Sequence, residues 1–366
     1  MSAGLREMGS AMPAMLPGTP EAITPAWLSA TLGAGREGVR AESVEVVGAH
    51  SGTTGRAVLR VEWSAGAGLP ERVFVKLPPT DATQRSMVDA TDMGRREARF
   101  YAGLAQQVPV RVPAALWSGW GDDPSQYLML LEDLAAAGCD FPLSNDPAIL
   151  DFTRALVDEL AHLHGHFAGW PRTARAFPWV EGTMRNDWGR MLVSAGLDAF
   201  RDSSPPEFAA IGEIYVARME AFNDWMDVGE HTLIHGDCHL GNLFRDGERP
   251  SFLDWACLAH APGLRDVAYF LCNSLPTELR RKEERDLLQR YRTGLAASGV
   301  SLPPFDETWR DYRRLALTSW VAATTTAAVG SRMQPIEVGM RAMARSNAAV
   351  QDLDCLALIR AELGID

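Results

Sequence analysis

Apolar residues recur with two different periods along this chain, and the period changes once. In Arg56–Trp63, Ala57, Leu59, Val61 and Trp63 fall on one face and Arg56, Arg60 and Glu62 on the other, the two-residue repeat of a half-buried strand. Arg72–Leu77 repeats it, with Val73, Val75 and Leu77 opposed to Phe74 and Lys76. Ser43–Val47, Trp117–Trp120 and Tyr127–Leu131 read as further strands, the last two joined by the turn Gly121-Asp122-Asp123-Pro124. One charged helix is predicted from Asp89 to Gln106. After Asp146-Pro147 the stripe Leu156, Leu160, Leu163 and Phe167 takes helical spacing. Further helices are predicted over 207–228, 264–275, 277–298, 306–328 and 335–362.

Strands first and helices later define a two-part α+β protein. The boundary falls near 133–145, giving regions 23–133 and 134–366. Residues 1–22 are rich in Ala, Met, Gly and Pro and read as a flexible leader. Thr24-Pro25 then supplies an N-cap and a first-turn proline for a short helix through Leu32, stopped at Gly33.

Composition removes several classes of function. The net charge of −12 repels a polyphosphate backbone, so nucleic acid is not an expected partner. A small anionic ligand is still admissible, because a bound metal and a few fixed donors dominate locally. The five cysteines are scattered and form no C-x-x-C pair, which points to reduced thiols in a cytoplasmic protein rather than a disulfide framework or zinc site. No stretch approaches the roughly 18 apolar residues of a membrane span, and the N-terminus has no signal-peptide core. Oligomeric state is left open.

The chemistry concentrates in Leu233-Ile234-His235-Gly236-Asp237-Cys238-His239-Leu240-Gly241-Asn242-Leu243-Phe244, followed by Phe252-Leu253-Asp254-Trp255. Protein kinases use H-R-D-x-x-x-x-N, where Asp meets the substrate hydroxyl and Asn holds magnesium. Asp237 and Asn242 keep that offset, and Asp254 ends a short apolar strand where a second magnesium ligand is needed. Phosphoryl transfer asks little covalent work of a protein. It asks for a carboxylate at the attacking hydroxyl and hard oxygen ligands for Mg²⁺. A metal site built from His235, Cys238 and His239 is disfavoured, because adjacent positions diverge and no distant partner is evident.

H-G-D-x-H-x-G-N followed by F-L-D-W resembles the aminoglycoside phosphotransferase and choline kinase-like superfamily. Gly263-Leu264-Arg265-Asp266-Val267-Ala268-Tyr269-Phe270-Leu271 is similar to its ecdysteroid kinase-like branch. The resemblance covers residues 24–362 and implies a protein-kinase-like, two-lobed fold: an N-terminal antiparallel sheet with one main helix, then a larger, mostly helical C-terminal lobe. It implies ATP and Mg²⁺ as cofactors and a small-molecule hydroxyl as acceptor. Asp237 is then the catalytic base, and Asn242 and Asp254 the metal ligands. Lys76 matches the strand lysine that contacts phosphates, and Glu97 its helix partner. Gly52 and Gly55 belong to the phosphate-covering loop Gly48–Gly55. Leu131 and Asp133 lie in the hinge whose backbone meets the adenine, and Asp266 braces the catalytic loop. His235 and His239 are read as structural.

Two departures matter. Ala256 follows Asp254-Trp255 where many relatives carry Gln or Glu, which removes no metal ligand. The phosphate loop lacks G-x-G-x-x-G spacing. Trp170, Trp179, Asp187 and Trp188 fall in an acceptor-side insert that fits either a cationic substrate or an apolar alcohol. No A-P-E-like segment follows Asp254, which argues against a protein kinase proper. A non-catalytic nucleotide-binding scaffold is the alternative, and it leaves the complete set of Lys76, Glu97, Asp237, Asn242 and Asp254 without a purpose.

Overall fold

The computed structural model describes residues 15–51, 54–64, 66–170, 177–332 and 335–365. Gly52 and the leader up to residue 14 lie outside the described residues. The described residues up to Asp140, together with Phe252–Cys257, form one compact unit. Phe141–Ser251 and the residues from Leu258 onward form a second. The segment that carries Asp254 thus groups with the strand-rich unit, 112 residues after the chain has left it at Asp140.

The first unit is a five-stranded sheet of β1 (Ala41–Ser51), β2 (Gly55–Trp63), β3 (Arg72–Leu77), β4 (Ala115–Trp120) and β5 (Tyr127–Glu132), in the order β1-β2-β3-β5-β4. Every pairing is antiparallel. The alternation read from the sequence is real: Leu59, Val61, Val73, Val75, Leu128 and Leu130 share one buried cluster with Ile23 and Leu28. Helix α1 (Pro25–Thr31) starts at Thr24, whose side-chain oxygen accepts from Trp27 N at 3.2 Å.

The single helix expected over Asp89–Gln106 is two. Helix α2 (Ala82–Thr91) begins earlier, because the Asp81 carboxylate caps the Thr83 and Gln84 amides at 3.0 and 2.9 Å. It ends at Asp92, in a left-handed conformation with φ 53°, and α3 (Met93–Ala102) starts there in a new direction. Helix α3 packs on β4 and β5 through Gly94, where an added Cβ would stand 2.0 Å from the Tyr127 ring. That close approach fixes the level of Glu97, one turn further along.

The second unit is mostly helical. Helix α4 (Ile149–His166) buries Leu156, Leu160 and Leu163 as its stripe predicts. Helices α5 (Trp188–Phe200) and α6 (Pro206–Met226) follow. Helix α5 is absent from the sequence reading because Gly189 and Gly196 weaken its propensity. Short strands β6 (His231–Ile234) and β9 (Ala259–Pro262) pair antiparallel, and β7 (Leu243–Asp246) pairs with β8 (Arg249–Phe252). Then come α7 (Leu264–Ser274), α8 (Thr277–Ala297), α9 (Phe305–Val329), α10 (Ile336–Asp352) and α11 (Cys355–Leu363). The helix expected over 335–362 is broken at Asp354, another left-handed residue, with φ 47°. No helix among the described residues is long and apolar enough to cross a membrane.

Gly94→Ala is expected to destabilise the first unit by about 1–3 kcal/mol through overpacking against Tyr127. A lower denaturant midpoint with an unchanged m-value checks this.

Candidate active site

In the first unit four charged side chains meet. Lys76 Nζ lies 2.5 Å from Glu97 Oε2 and 3.2 Å from Asp254 Oδ1. Arg56 Nη2 lies 3.3 Å from Asp254 Oδ2. Lys76 and Glu97 are buried, so their pairing is obligatory: removing one partner of such a pair strands the other charge, at a cost of about 3–5 kcal/mol. Burial raises the Glu97 carboxyl above its ordinary value, and Lys76 offsets only part of that rise. Glu97 Oε1 is buried with no hydrogen-bond partner.

Asp254 reaches this cluster by anchoring on either side of it. The Phe252 amide donates to the Arg111 carbonyl at 2.9 Å. The Trp255 indole stacks on Phe100 at 4.3 Å with an interplanar angle of 11°. Phe100 stands three residues after Glu97 on α3, so one helix carries both the lysine's partner and the support for Asp254. The Asp254 backbone is left-handed, with φ 63°, a conformation that a non-glycine residue holds only when its surroundings impose it.

Leu131 and Asp133, expected to meet the adenine, lie near the end of β5 and just after it. Leu131 is paired with Phe74 on one side and Ala115 on the other. The Asp133 carboxylate accepts from Arg72 Nε at 2.7 Å, and its carbonyl accepts from the Ala137 amide at 3.0 Å. Gly55 opens β2 opposite Leu77.

In the second unit the loop after β6 is held from beneath. The Asp266 carboxylate accepts from the His235 amide at 2.7 Å and the Gly236 amide at 2.9 Å. His164 Nε2 stands 3.3 Å from Asp266 Oδ2, and its Nδ1 stands 2.9 Å from the Tyr291 hydroxyl. A carboxylate only accepts, so Nε2 carries the proton and Nδ1 accepts from Tyr291. The relay runs from α8 through α4 to α7 and ends on the loop backbone. Burial pushes the Asp266 carboxyl up, but His164, His235 and the Gly236 amide outweigh it and hold it below its ordinary value.

Asp237 is fixed at both oxygens. The Tyr269 hydroxyl donates to Oδ1 at 2.9 Å, and Asn242 Nδ2 donates to Oδ2 at 2.9 Å and to the Asp237 carbonyl at 3.0 Å. His239 Nδ1 accepts from the Gly241 amide at 3.0 Å, which turns Nε2–H toward Asp237 Oδ2 at 3.6 Å. Burial raises the Asp237 carboxyl, but His239, His235 and Tyr269 prevail and hold it at about 2. The group is therefore anionic throughout the physiological range. With its nitrogen committed to Asp237, Asn242 has its carbonyl oxygen left to face a cation. Cys238 is buried beside these carboxylates, its thiol pushed well up by burial, and is no nucleophile.

Asp254 in the first unit and Asn242 in the second each offer the hard oxygens that magnesium takes, and the Asp254 carboxylate is already where two protein cations converge. Magnesium held by one or two side chains and substrate phosphates needs no larger cage. Among the described residues no three His, Cys, Asp or Glu side chains group as a metal site.

Sequence reasoning assigned no role to Arg56, His164, Tyr269 or Tyr291. Arg56 was visible only as a member of a polar strand face, although its place directly after the glycine-rich turn marks it. Of the acceptor-side residues, Trp170 is buried and stacks on His260 at 5.7 Å, whereas Asp187 is largely exposed, 3.9 Å from Arg190. Trp179 and Trp188 are half-buried.

The chain matches the profile of the phosphotransferase enzyme family (APH) over residues 45–322 and belongs to that family. No curated protein matches it. Among solved structures it is similar to a candidate aminoglycoside phosphotransferase from Ralstonia eutropha JMP134, at 13% identity and TM-score 0.54 over 90% of this chain and 97% of that one. It is also similar to a choline/ethanolamine kinase family protein from Mesorhizobium loti, at 15% identity and TM-score 0.50 over 92% and 98%. A third is aminoglycoside 2′-phosphotransferase-IIIa in its GDP complex, at 14% identity and TM-score 0.50 over 88% and 98%. These likenesses establish the fold, an antiparallel N-terminal sheet followed by a mostly helical remainder, as the resemblance implies.

Two outcomes test the loop's supports. Tyr269→Phe removes one of the donors that depress Asp237, so its pKa is expected to rise and kcat to fall about tenfold with KM nearly unchanged, the loss of one charge-assisted hydrogen bond. Gly263 is packed so tightly that an added Cβ would stand 2.7 Å from the His164 ring and 2.8 Å from the Tyr291 hydroxyl. Gly263→Ala is therefore expected to lower both kcat and the unfolding temperature by breaking the relay, with KM for nucleotide unchanged.

Proposed function

We propose that the chain is a small-molecule kinase that moves the γ-phosphoryl group of Mg·ATP to a hydroxyl of a small acceptor. The observation that carries this reading is Asp237: a carboxylate locked at both oxygens, kept ionised, and aimed by the amide of the residue proposed to bind metal. A non-catalytic scaffold has no use for such a group.

Magnesium-bound ATP supplies the phosphoryl group and much of the neutralising charge. Lys76, held by Glu97, would meet the non-transferred phosphates, and Asp254 and the Asn242 carbonyl oxygen would hold the metal. Asp237 orients the acceptor hydroxyl and takes its proton as the new P–O bond forms and the bond from the γ-phosphorus to the bridging oxygen breaks, with ADP as the leaving group. A carboxyl near 2 is a weak base, so it receives that proton only late, when the transferring phosphoryl group has made the hydroxyl acidic. Orientation is the larger part of its work. The acceptor is proposed only as a small hydroxylated molecule, and the similarity to the ecdysteroid kinase-like branch rests on Gly263–Leu271 alone. Because one structural relative holds GDP, both ATP and GTP belong in the assay.

Asp237→Asn is expected to retain nucleotide affinity and lose roughly 10²–10⁴-fold in kcat, the usual share of a positioned acid–base group. Full ADP release by that variant in the presence of acceptor would sink the reading. The folded value near 2 lies below the unfolded value near 3.8, so Asp237 contributes stability above about pH 4 that is lost as pH falls through about 2. The kcat profile is accordingly expected to show no acid limb from this group above about pH 4.

A further inference from the structure

We infer that Arg56 is a second cation of the nucleotide site, one that competes with the metal for Asp254 and contacts phosphate when the metal takes that carboxylate. The inference rests on the proposed use of Mg·nucleotide. Arg56 and Lys76 face each other in register on β2 and β3. Like charges directly opposite on neighbouring strands repel, and sheets avoid the arrangement unless an anion lies across them. Here Asp254 does, with one oxygen on each cation, Oδ1 on Lys76 at 3.2 Å and Oδ2 on Arg56 at 3.3 Å.

The two cations are not equivalent. Lys76 is buried and has Glu97 as a second, closer partner at 2.5 Å. The Arg56 side chain is 41% exposed, and its guanidinium has Asp254 as its carboxylate partner. Among the described residues its other side-chain bond is a long one, Nε to the Thr54 hydroxyl at 3.4 Å. The four groups sum to zero charge: two cations, two carboxylates. A divalent cation arriving at Asp254 unbalances that sum and releases Arg56, whose planar fork suits a phosphate oxygen pair. Arg56 sits one residue past Gly55, at the root of the β1–β2 turn, so it needs only rotamer changes to point elsewhere. Metal alone therefore has to evict Arg56, whereas metal with nucleotide gives Arg56 a new anion. The consequence is mutual dependence of the two ligands, with Arg56 as the coupling group.

The test uses binding, not turnover. Affinities of the full-length protein are measured for Mn²⁺ alone by electron paramagnetic resonance and for ADP at saturating Mn²⁺ by calorimetry. For Arg56→Gln, Mn²⁺ alone is expected to bind about tenfold tighter and ADP with Mn²⁺ about tenfold weaker, the size of one charge-assisted contact in each direction. Arg60→Gln is the control for a general loss of charge on the same strand, since Arg60 pairs with Glu45 at 3.0 Å and not with Asp254. Unchanged affinities in Arg56→Gln overturn the inference, and so do equal shifts in Arg60→Gln. A wild-type protein that binds no nucleotide with or without metal overturns the proposed function itself, which keeps the two failures apart. Arg56 is half-exposed, so its variant is expected to unfold at the wild-type temperature.

Discussion

Taking an ionised carboxylate out of water costs several kcal/mol unless donors surround it. That constraint organises the parts of this chain that matter. Glu97 is fully buried and requires Lys76. Asp266 is nearly so and requires two loop amides and a histidine, which in turn requires Tyr291. Each requirement spans distant elements, so satisfying the charges fixes α3 against β3 in one unit and joins α4, α7 and α8 to the loop after β6 in the other. Asp237 uses the same logic in the open: partly exposed, it is held by Tyr269 and Asn242 and stays ionised. The groups proposed to do chemistry are positioned by groups whose own burial ties them to particular partners.

Much of this was legible in the sequence, and the limits have physical causes. Strand alternation in β2 and β3 identified the sheet and placed Lys76, because one buried face enforces a period of two. The five-residue offset of Asp237 and Asn242 survives because a short loop fixes it locally. The breaks at Asp92 and Asp354 were missed because each is a left-handed aspartate, carrying neither the glycine nor the proline that usually marks a helix boundary. Arg56, Tyr269 and His164 were missed for another reason. Their partners lie 198, 32 and 102 residues away in the chain, so no local pattern reports them.

The phosphotransferase family membership and the fold at 13–15% identity leave the acceptor side to the particular residues of this chain. There the aromatic positions that looked most like ligand contacts divide. Trp170 is core, stacked on a histidine and covered, while Trp179 and Trp188 keep part of their surface. The turn expected to cover phosphate departs from the usual glycine spacing, and an arginine follows it directly.

Phosphoryl transfer to a hydroxyl is the central claim, and product mass is its most direct measurement. The purified protein is incubated with Mg·ATP or Mg·GTP and a pool of small hydroxylated metabolites, and the mixture is read by mass spectrometry. The account predicts one class of acceptor heavier by a single phosphoryl group, formed in equal amount with the nucleoside diphosphate and dependent on magnesium. Nucleoside diphosphate and free phosphate appearing in equal amounts without any phosphorylated acceptor, or phosphorylated acceptor forming equally well without magnesium, would contradict it.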